Sequence, residues 1–362
     1  MPRMTRVKDI AVAGEKLAPG ALAEDWDNCG LQVGDPEATV GRVLVALTPL
    51  TEVFEEAEEK SADFLLFHHP LVFTPVKSLD TAAYPGDLLA RAIRGDRAVF
   101  AAHTNYDAAP IGVSVALAEA LDLRGPLEVV APRGGLRKLV VFVPEENVEA
   151  VARALGDAGA GEIGAYTRCT FRTPGTGTFL PGEDAHPFLG ERNRLETAAE
   201  VRLETVVPAH LVRMAVASAV AAHPYEEVAV DVYPIEGHPP GCGYGRVGEL
   251  PTPLSPEELR VHVSESLGFA ARLVAAPSVK RIERIAALGG SGGSFIREAA
   301  ARGADAYVTG DLSYHDALLA ESLGLVAIDA GHAATELPSL QPLARRLAGL
   351  VDVPVEVSRV RR

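Results

Sequence analysis

The sequence predicts an α/β protein in two parts. One is a discontinuous α/β domain around a central, mostly parallel sheet. The other is an inserted ferredoxin-like α+β domain. Three observations carry this. Short runs that are apolar at every position recur towards both ends of the chain and alternate with amphipathic stretches, the pattern of strands covered on both faces. The middle of the chain repeats a strand–turn–helix plan twice. Gly/Pro-rich joints, "APRGG" and "GHPPGCGYGRVG", separate the two textures. The outer domain is placed at 1–130 and 246–362, and the insert at 135–238.

In chain order, "WDNCGLQVGD" reads as an ordered loop, and its Asp27, with Asp25 and Asp35 nearby, as turn formers or caps before ligands. "VLVAL" (43–47), "FLLF" (64–67) and "AVFAA" (98–102) read as buried strands, with helical patterns in "TEVFEEAEEKSA" and "GVSVALAEALDL". "KLVVFVPEENVEAVARALGDAGA" is strand, turn, helix; the stretch from "RLETVVP" to "VDVYPIE" is strand, helix, strand. "RTPGTGTFLPGEDAHPFLGERN" between them reads as a long exposed loop, because glycine and proline crowd it. "IAALGG" (285–290), "AYVTG" (306–310) and "LVAID" (325–329) return to buried strands, with a helix in "SFIREAAARGAD".

Composition narrows the function. The chain has 362 residues, 48% hydrophobic and 23% charged, with net charge −15. An acidic surface repels the phosphate backbone, so a nucleic-acid polymer is not the expected partner. No apolar run is long enough to span a bilayer, and the N-terminus lacks the apolar core of a signal peptide. Cys29, Cys169 and Cys242 are scattered and odd in number, which indicates neither a disulfide framework nor a thiolate metal site; a reducing cytoplasm is the simplest setting.

The chemistry-bearing residues sit where predicted strands end. His68 and His69 close "FLLFHHP", and Pro70 stops the ladder just after them. His103 and Asp107 follow the next strand; Asp311 and His315 follow "AYVTG"; His332 and Glu336 follow "LVAID" at i,i+4 spacing, on one face if a helix begins there. The carboxyl edge of an α/β sheet is where such folds place ligands. Histidine and carboxylate without thiolate suit zinc, iron or manganese. The number of groups exceeds the three protein ligands of one catalytic zinc and favours two ions, with a carboxylate such as Asp107 between them. "GGSGG" adds a loop, Gly290, Ser291, Gly292 and Gly293, whose backbone N–H groups suit an anion at a helix start, although it is neither a P-loop nor a dinucleotide fingerprint.

Together, "WDNCGLQVGD", "FHHPLVF", "AAHTNYDAAPIGV", "GGSGG" and "GDLSYHDALLAESLGLVAIDAGHAATE" resemble the Nif-three-like family, also named GTP cyclohydrolase I type 2 homologues, in its long form with a PII/CutA-like insert. The resemblance implies two divalent ions per chain held by His68, His69, Asp107, His332 and Glu336. It places His103 and His315 in motifs near the metals, where either would move protons. It puts Ala333 where the family often carries an aromatic residue, and it implies a toroidal homohexamer. The activity it suggests is ring-opening hydrolysis of GTP or hydrolysis of another phosphorylated small molecule. The alternative expectation is a non-enzymatic metal-binding scaffold or metallochaperone-like protein.

Overall fold

The computed structural model describes residues 4–279 and 281–361. The chain divides into two compact units, residues 1–133 with 241–362, and residues 134–240. Its strands, in chain order, are β1 (Gly30–Val33), β2 (Val43–Ala46), β3 (Phe64–Phe67), β4 (Ala98–Ala101), β5 (Arg124–Pro132), β6 (Leu136–Pro144), β7 (Thr170–Phe179), β8 (Glu196–Pro208), β9 (Val230–Ile235), β10 (Gly243–Leu254), β11 (Arg272–Ala275), β12 (Ile282–Ser291), β13 (Ala306–Gly310), β14 (Val326–Asp329) and β15 (Val355–Val357).

The discontinuous unit holds two sheets where the sequence predicts one. The first has the order β1-β4-β3-β2-β15, with β4, β3, β2 and β15 mutually parallel and β1 antiparallel at the edge. The second has the order β11-β14-β13-β12-β10-β5; only β12, β13 and β14 run parallel. The short apolar runs look alike in sequence whichever sheet they join, so local pattern does not reveal the partition.

Every residue of β2, β3 and β4 is buried. Alternation explains how. Val43, Val45, Phe64, Leu66 and Phe100 face the helices Val7–Leu17 and Leu340–Ala348. Leu44, Leu65, Phe67 and Val99 face Val53, Phe54 and Leu88 of the helices Thr51–Glu59 and Gly86–Arg94. Each fully buried Phe or Leu contributes about 1.5–3 kcal/mol. The second sheet is covered in the same way, with Ile285, Val308 and Ile328 packed towards Leu117, Leu259 and Val263.

Residues 134–240 have the element order strand, helix, strand, strand, helix, strand, and the sheet order β7-β8-β6-β9, all antiparallel. The helices Val148–Asp157 and Val212–Ala222 cover one face over Leu139, Val141, Val143 and Leu203. The Gly/Pro-rich segment predicted as a loop begins as a strand, and the rest, 180–193, is loop. Thr170–Phe179 pairs with β8 along its whole length. Pro174 is tolerated because β7 lies at the sheet edge, where a missing N–H breaks no second ladder. "WDNCGLQVGD" likewise contains β1, paired Gly30 to Ala101. No helix among the described residues is long and apolar enough to cross a membrane. Cys29 and Cys169 are free thiols, and Cys242 is buried.

Candidate metal centre

The site is built where β3, β4, β13 and β14 end, so both sheets of the discontinuous unit supply it. His68 and His69 extend β3: their N–H groups still donate to the Ala46 and Leu47 carbonyls, at 3.1 and 2.9 Å. Their rings lie 5.1 Å apart and do not diverge as successive residues of a flat strand would. β4 leads to His103 and the one-turn helix Thr104–Asp107. β14 leads through Gly331 to the helix His332–Glu336, whose i,i+4 pair faces one way, with His332 Nε2 3.1 Å from Glu336 Oε1.

Glu336 is the centre of the arrangement. Its Oε1 lies 3.4 Å from His68 Nε2, and its Oε2 lies 3.1 Å from His69 Nε2. Asp107 Oδ1 lies 3.6 Å from His68 Nε2. His68, His69 and His103 bring ring nitrogens within 4.8 Å of one another, as do His69, His332 and Glu336 with their ligand atoms.

Each of the four imidazoles is anchored through Nδ1. His68 Nδ1 donates to the Ala102 carbonyl at 2.8 Å, and His69 Nδ1 pairs with Thr48 Oγ1 at 3.0 Å. His103 Nδ1 meets Asp27 Oδ1 at 3.0 Å, and His332 Nδ1 meets Asp311 Oδ2 at 2.6 Å. Such bonds fix the ring and leave Nε2 as the nitrogen available to a metal.

These residues fit a divalent cation on one direct observation. His68 Nε2, His69 Nε2, Asp107 Oδ1 and Glu336 Oε2 are all buried without a hydrogen-bond partner. Four buried polar atoms that face one another without a well-formed hydrogen bond carry a desolvation cost that a cation between them would offset. The donor set, imidazole and carboxylate without thiolate, suits zinc, iron or manganese.

Electrostatics agree. Burial disfavours charge on His68, but the facing Asp107 and Glu336 outweigh it and push the ring up to about 9. The Glu336 hydrogen bond leads in raising His332 to about 9 as well. Burial raises Asp107 to about 6, and burial lowers His69. Glu336 is buried too, yet His68 and the other rings hold its carboxyl well below the usual range. The pocket therefore calls for positive charge.

Glycines make the space. Gly290 has φ +73°, and a Cβ there would fall 2.5 Å from Glu336 Oε1. A Cβ on Gly310 would fall 2.7 Å from the His332 backbone nitrogen. The rest of "GGSGG" is committed in part: Gly290 N–H donates to Thr335 Oγ1 at 2.9 Å and Gly292 N–H to the Gly310 carbonyl at 3.3 Å. Ser291 ends β12, and Gly293 opens a 3-10 turn, Gly293–Phe295, beside Asp316. His315 is exposed on the helix Tyr314–Ser322, with its ring on Tyr314, and belongs to neither ligand cluster. Ala333 is half-buried against the core of the first sheet.

Two carboxylates gain roles that local sequence does not convey. The Asp27 side chain is fully buried; besides His103 it accepts from the Thr104 backbone N–H at 3.1 Å, the Thr104 hydroxyl and the Cys29 thiol. Burial opposes its charge, but those donors hold it far below the usual range. Burial beside that carboxylate pushes the Cys29 thiol up to about 12. Asp311, at φ +56°, turns straight out of β13 onto His332.

Known proteins match along the full length. A GTP cyclohydrolase 1 type 2 homolog of Bacillus subtilis is 42% identical over 97% of this chain and 94% of its own. A protein of the same description from Mycobacterium tuberculosis is 38% identical over 92% of this chain and 89% of its own. Among solved structures, a Bacillus cereus protein related to NIF3 superposes with a TM-score of 0.85 at 39% identity, covering 99% of this chain and 98% of that one. Staphylococcus aureus protein SA1388 gives a TM-score of 0.74 at 29% identity, covering 99% and 97%. The family model described as Duf34/NIF3 (NGG1p interacting factor 3) matches residues 5–362. Matched by the family model over residues 5–362 and by such relatives over most of both chains, the chain belongs to the Duf34/NIF3 family.

Proposed function

We propose that the protein is a dinuclear metal-dependent hydrolase acting on a small molecule. The observation that carries this is the set of buried, unpartnered ligand atoms on His68, His69, Asp107 and Glu336. With His332, these residues would hold two divalent ions, and Glu336 faces three of the imidazoles. When bound, such ions activate water and polarise the bond to be cut. The chain's own groups do the rest. Asp27 orients His103 through Nδ1, which positions its ring beside His68 and His69 to take and return a proton. Asp311 does the same for His332, fixing the ring that meets Glu336. Ring opening of a purine, phosphoester hydrolysis and amide hydrolysis all fit that chemistry.

Residues 134–240 follow the βαββαβ order of ferredoxin-like domains, which supports the PII/CutA-like reading of this unit. The homohexamer and the cytoplasmic setting belong to the same reading; light scattering on the purified protein tests the first.

The decisive experiment measures metal content of the wild type and of Asp107→Ala, then screens GTP, phosphoesters and amides with the reconstituted protein. Two ions per chain, loss of metal in the variant and turnover of one substrate class support the proposal. Unchanged metal in the variant removes Asp107 from the ligand set. Tight metal binding with no turnover transfers the site to a metal-handling role.

A further inference from the structure

Trp26 and Phe73 stand beside the metal centre, and both are exposed, 60% and 50%. Trp26 is the chain's single tryptophan. The two rings meet edge to face at 5.9 Å. Each also packs edge to face against His103, at 6.4 Å for Trp26 and 6.3 Å for Phe73. His103 in turn lies 5.3 Å from His68 and 5.7 Å from His69, ring to ring. The aromatic pair is therefore one ring removed from the ligands.

The pair is also held in place. Asp27, next to Trp26, is buried and fastened to His103 and Thr104. Asn28 donates to the Val72 carbonyl at 2.5 Å. Gln32 donates to the same carbonyl at 3.1 Å and accepts from Val72 N–H at 3.0 Å. Each aromatic residue is thus the chain neighbour of a pinned position. Large apolar rings kept rigid in water beside a reactive centre are preorganised for a partner with a flat face.

Charge restricts that partner. Glu24, Asp25 and Asp27 share the Trp26 loop, and the chain carries −15 overall. A ring bearing its own negative charge would be repelled there. We infer that Trp26 and Phe73 form a stacking platform that seats the neutral planar ring of a heterocyclic substrate next to His103. Ring recognition would then be separate from recognition of any phosphate. This inference rests on the hydrolase reading for the word substrate, but the stacking itself does not require turnover.

Trp26 is its own reporter. Metal-loaded protein is titrated with guanosine and, separately, with ribose 5-phosphate, following tryptophan fluorescence. The expected result is a saturable change with guanosine and none with ribose 5-phosphate. In Phe73→Leu, which keeps apolar bulk and should keep the metals, the guanosine affinity should fall about tenfold, the scale of one lost base–aromatic contact. An equal response to both compounds, or none to guanosine while metal content is intact, overturns the platform. If guanosine quenches but no compound is turned over, the platform stands and the hydrolase reading falls. If non-aromatic phosphoesters are hydrolysed and guanosine has no effect, the reverse holds.

Discussion

Four imidazoles, each tied through Nδ1 to a different group, define the centre at the residue scale. The anchors are a backbone carbonyl, a threonine hydroxyl and two carboxylates. The carboxylate-anchored rings are the ones a substitution can release without removing a ligand. Asp27→Asn keeps the shape but loses the charge under His103; turnover should fall about 10- to 100-fold with metal content unchanged, as shown by steady-state kinetics beside elemental analysis. Gly290→Ala should act in the opposite way. Its Cβ would press on Glu336 Oε1, and a positive φ already disfavours any side chain, so bound metal should be lost even at saturating supply. The histidines themselves were legible in sequence because they are adjacent, or paired with a carboxylate, at the ends of apolar runs. Their anchors were not. Asp27 and His103 are 76 residues apart and Asp311 and His332 are 21 apart, and no local pattern marks such pairs. Asp27 had an equally good local explanation as a turn residue, and the structure gives it a buried one instead.

At the scale of elements, runs apolar on both faces identified β2, β3, β4, β13 and β14 almost to the residue, because short, fully apolar runs between helical patterns suit strands covered on both faces. β7 and β15 escaped. One is written in glycine, proline and threonine and is stabilised by pairing with β8; the other is three residues long and borrows its order from β2. The C-terminal segment after β15 depends on a buried polar contact. Glu56, on the helix Thr51–Glu59, is 1% exposed and accepts from Ser358 Oγ at 2.6 Å and Arg359 N–H at 3.1 Å. Burial opposes its charge, but the Ser358, Lys60 and Arg359 donors prevail and lower it. A carboxyl lowered on folding contributes stability that is present above its unfolded pKa, about 4.5, and is lost as pH falls through the folded value. Glu56→Gln should therefore lower the denaturation midpoint at pH 7, by about 1–3 kcal/mol in free energy. The deficit should shrink in acid. Urea unfolding at two pH values checks both signs.

For the whole molecule, the proposed metals and the protons would compete for one set of atoms. His68 and His332, raised to about 9, are protonated at neutral pH in the metal-free protein. Histidines raised on folding contribute stability that is full below about 6.5 and is lost as pH rises through about 9. The metal-free protein should accordingly lose thermal stability across that window. The loaded protein should not, since the ions replace the protons. Loading at pH 7 should release about two protons, seen as a binding heat that varies with the ionisation enthalpy of the buffer; a buffer-independent heat refutes it. A second global test uses Arg246, 2% exposed, whose guanidinium donates to the carbonyls of Gly241, Gly243, Gly245 and Ala109. Arg246→Met would orphan these groups near Asp107 and should cost about 3 kcal/mol or more of stability, measured by chemical denaturation. The division of the ligands between the two sheets has one more consequence, and it concerns synthesis. His68, His69, His103 and Asp107 leave the ribosome first; Asp311, His332 and Glu336 follow only after the whole of 134–240 has been made. A nascent or truncated chain can offer His68, His69, His103 and Asp107 but lacks His332 and Glu336. The full ligand set is then a late sign of completeness, one that a prematurely terminated product lacks.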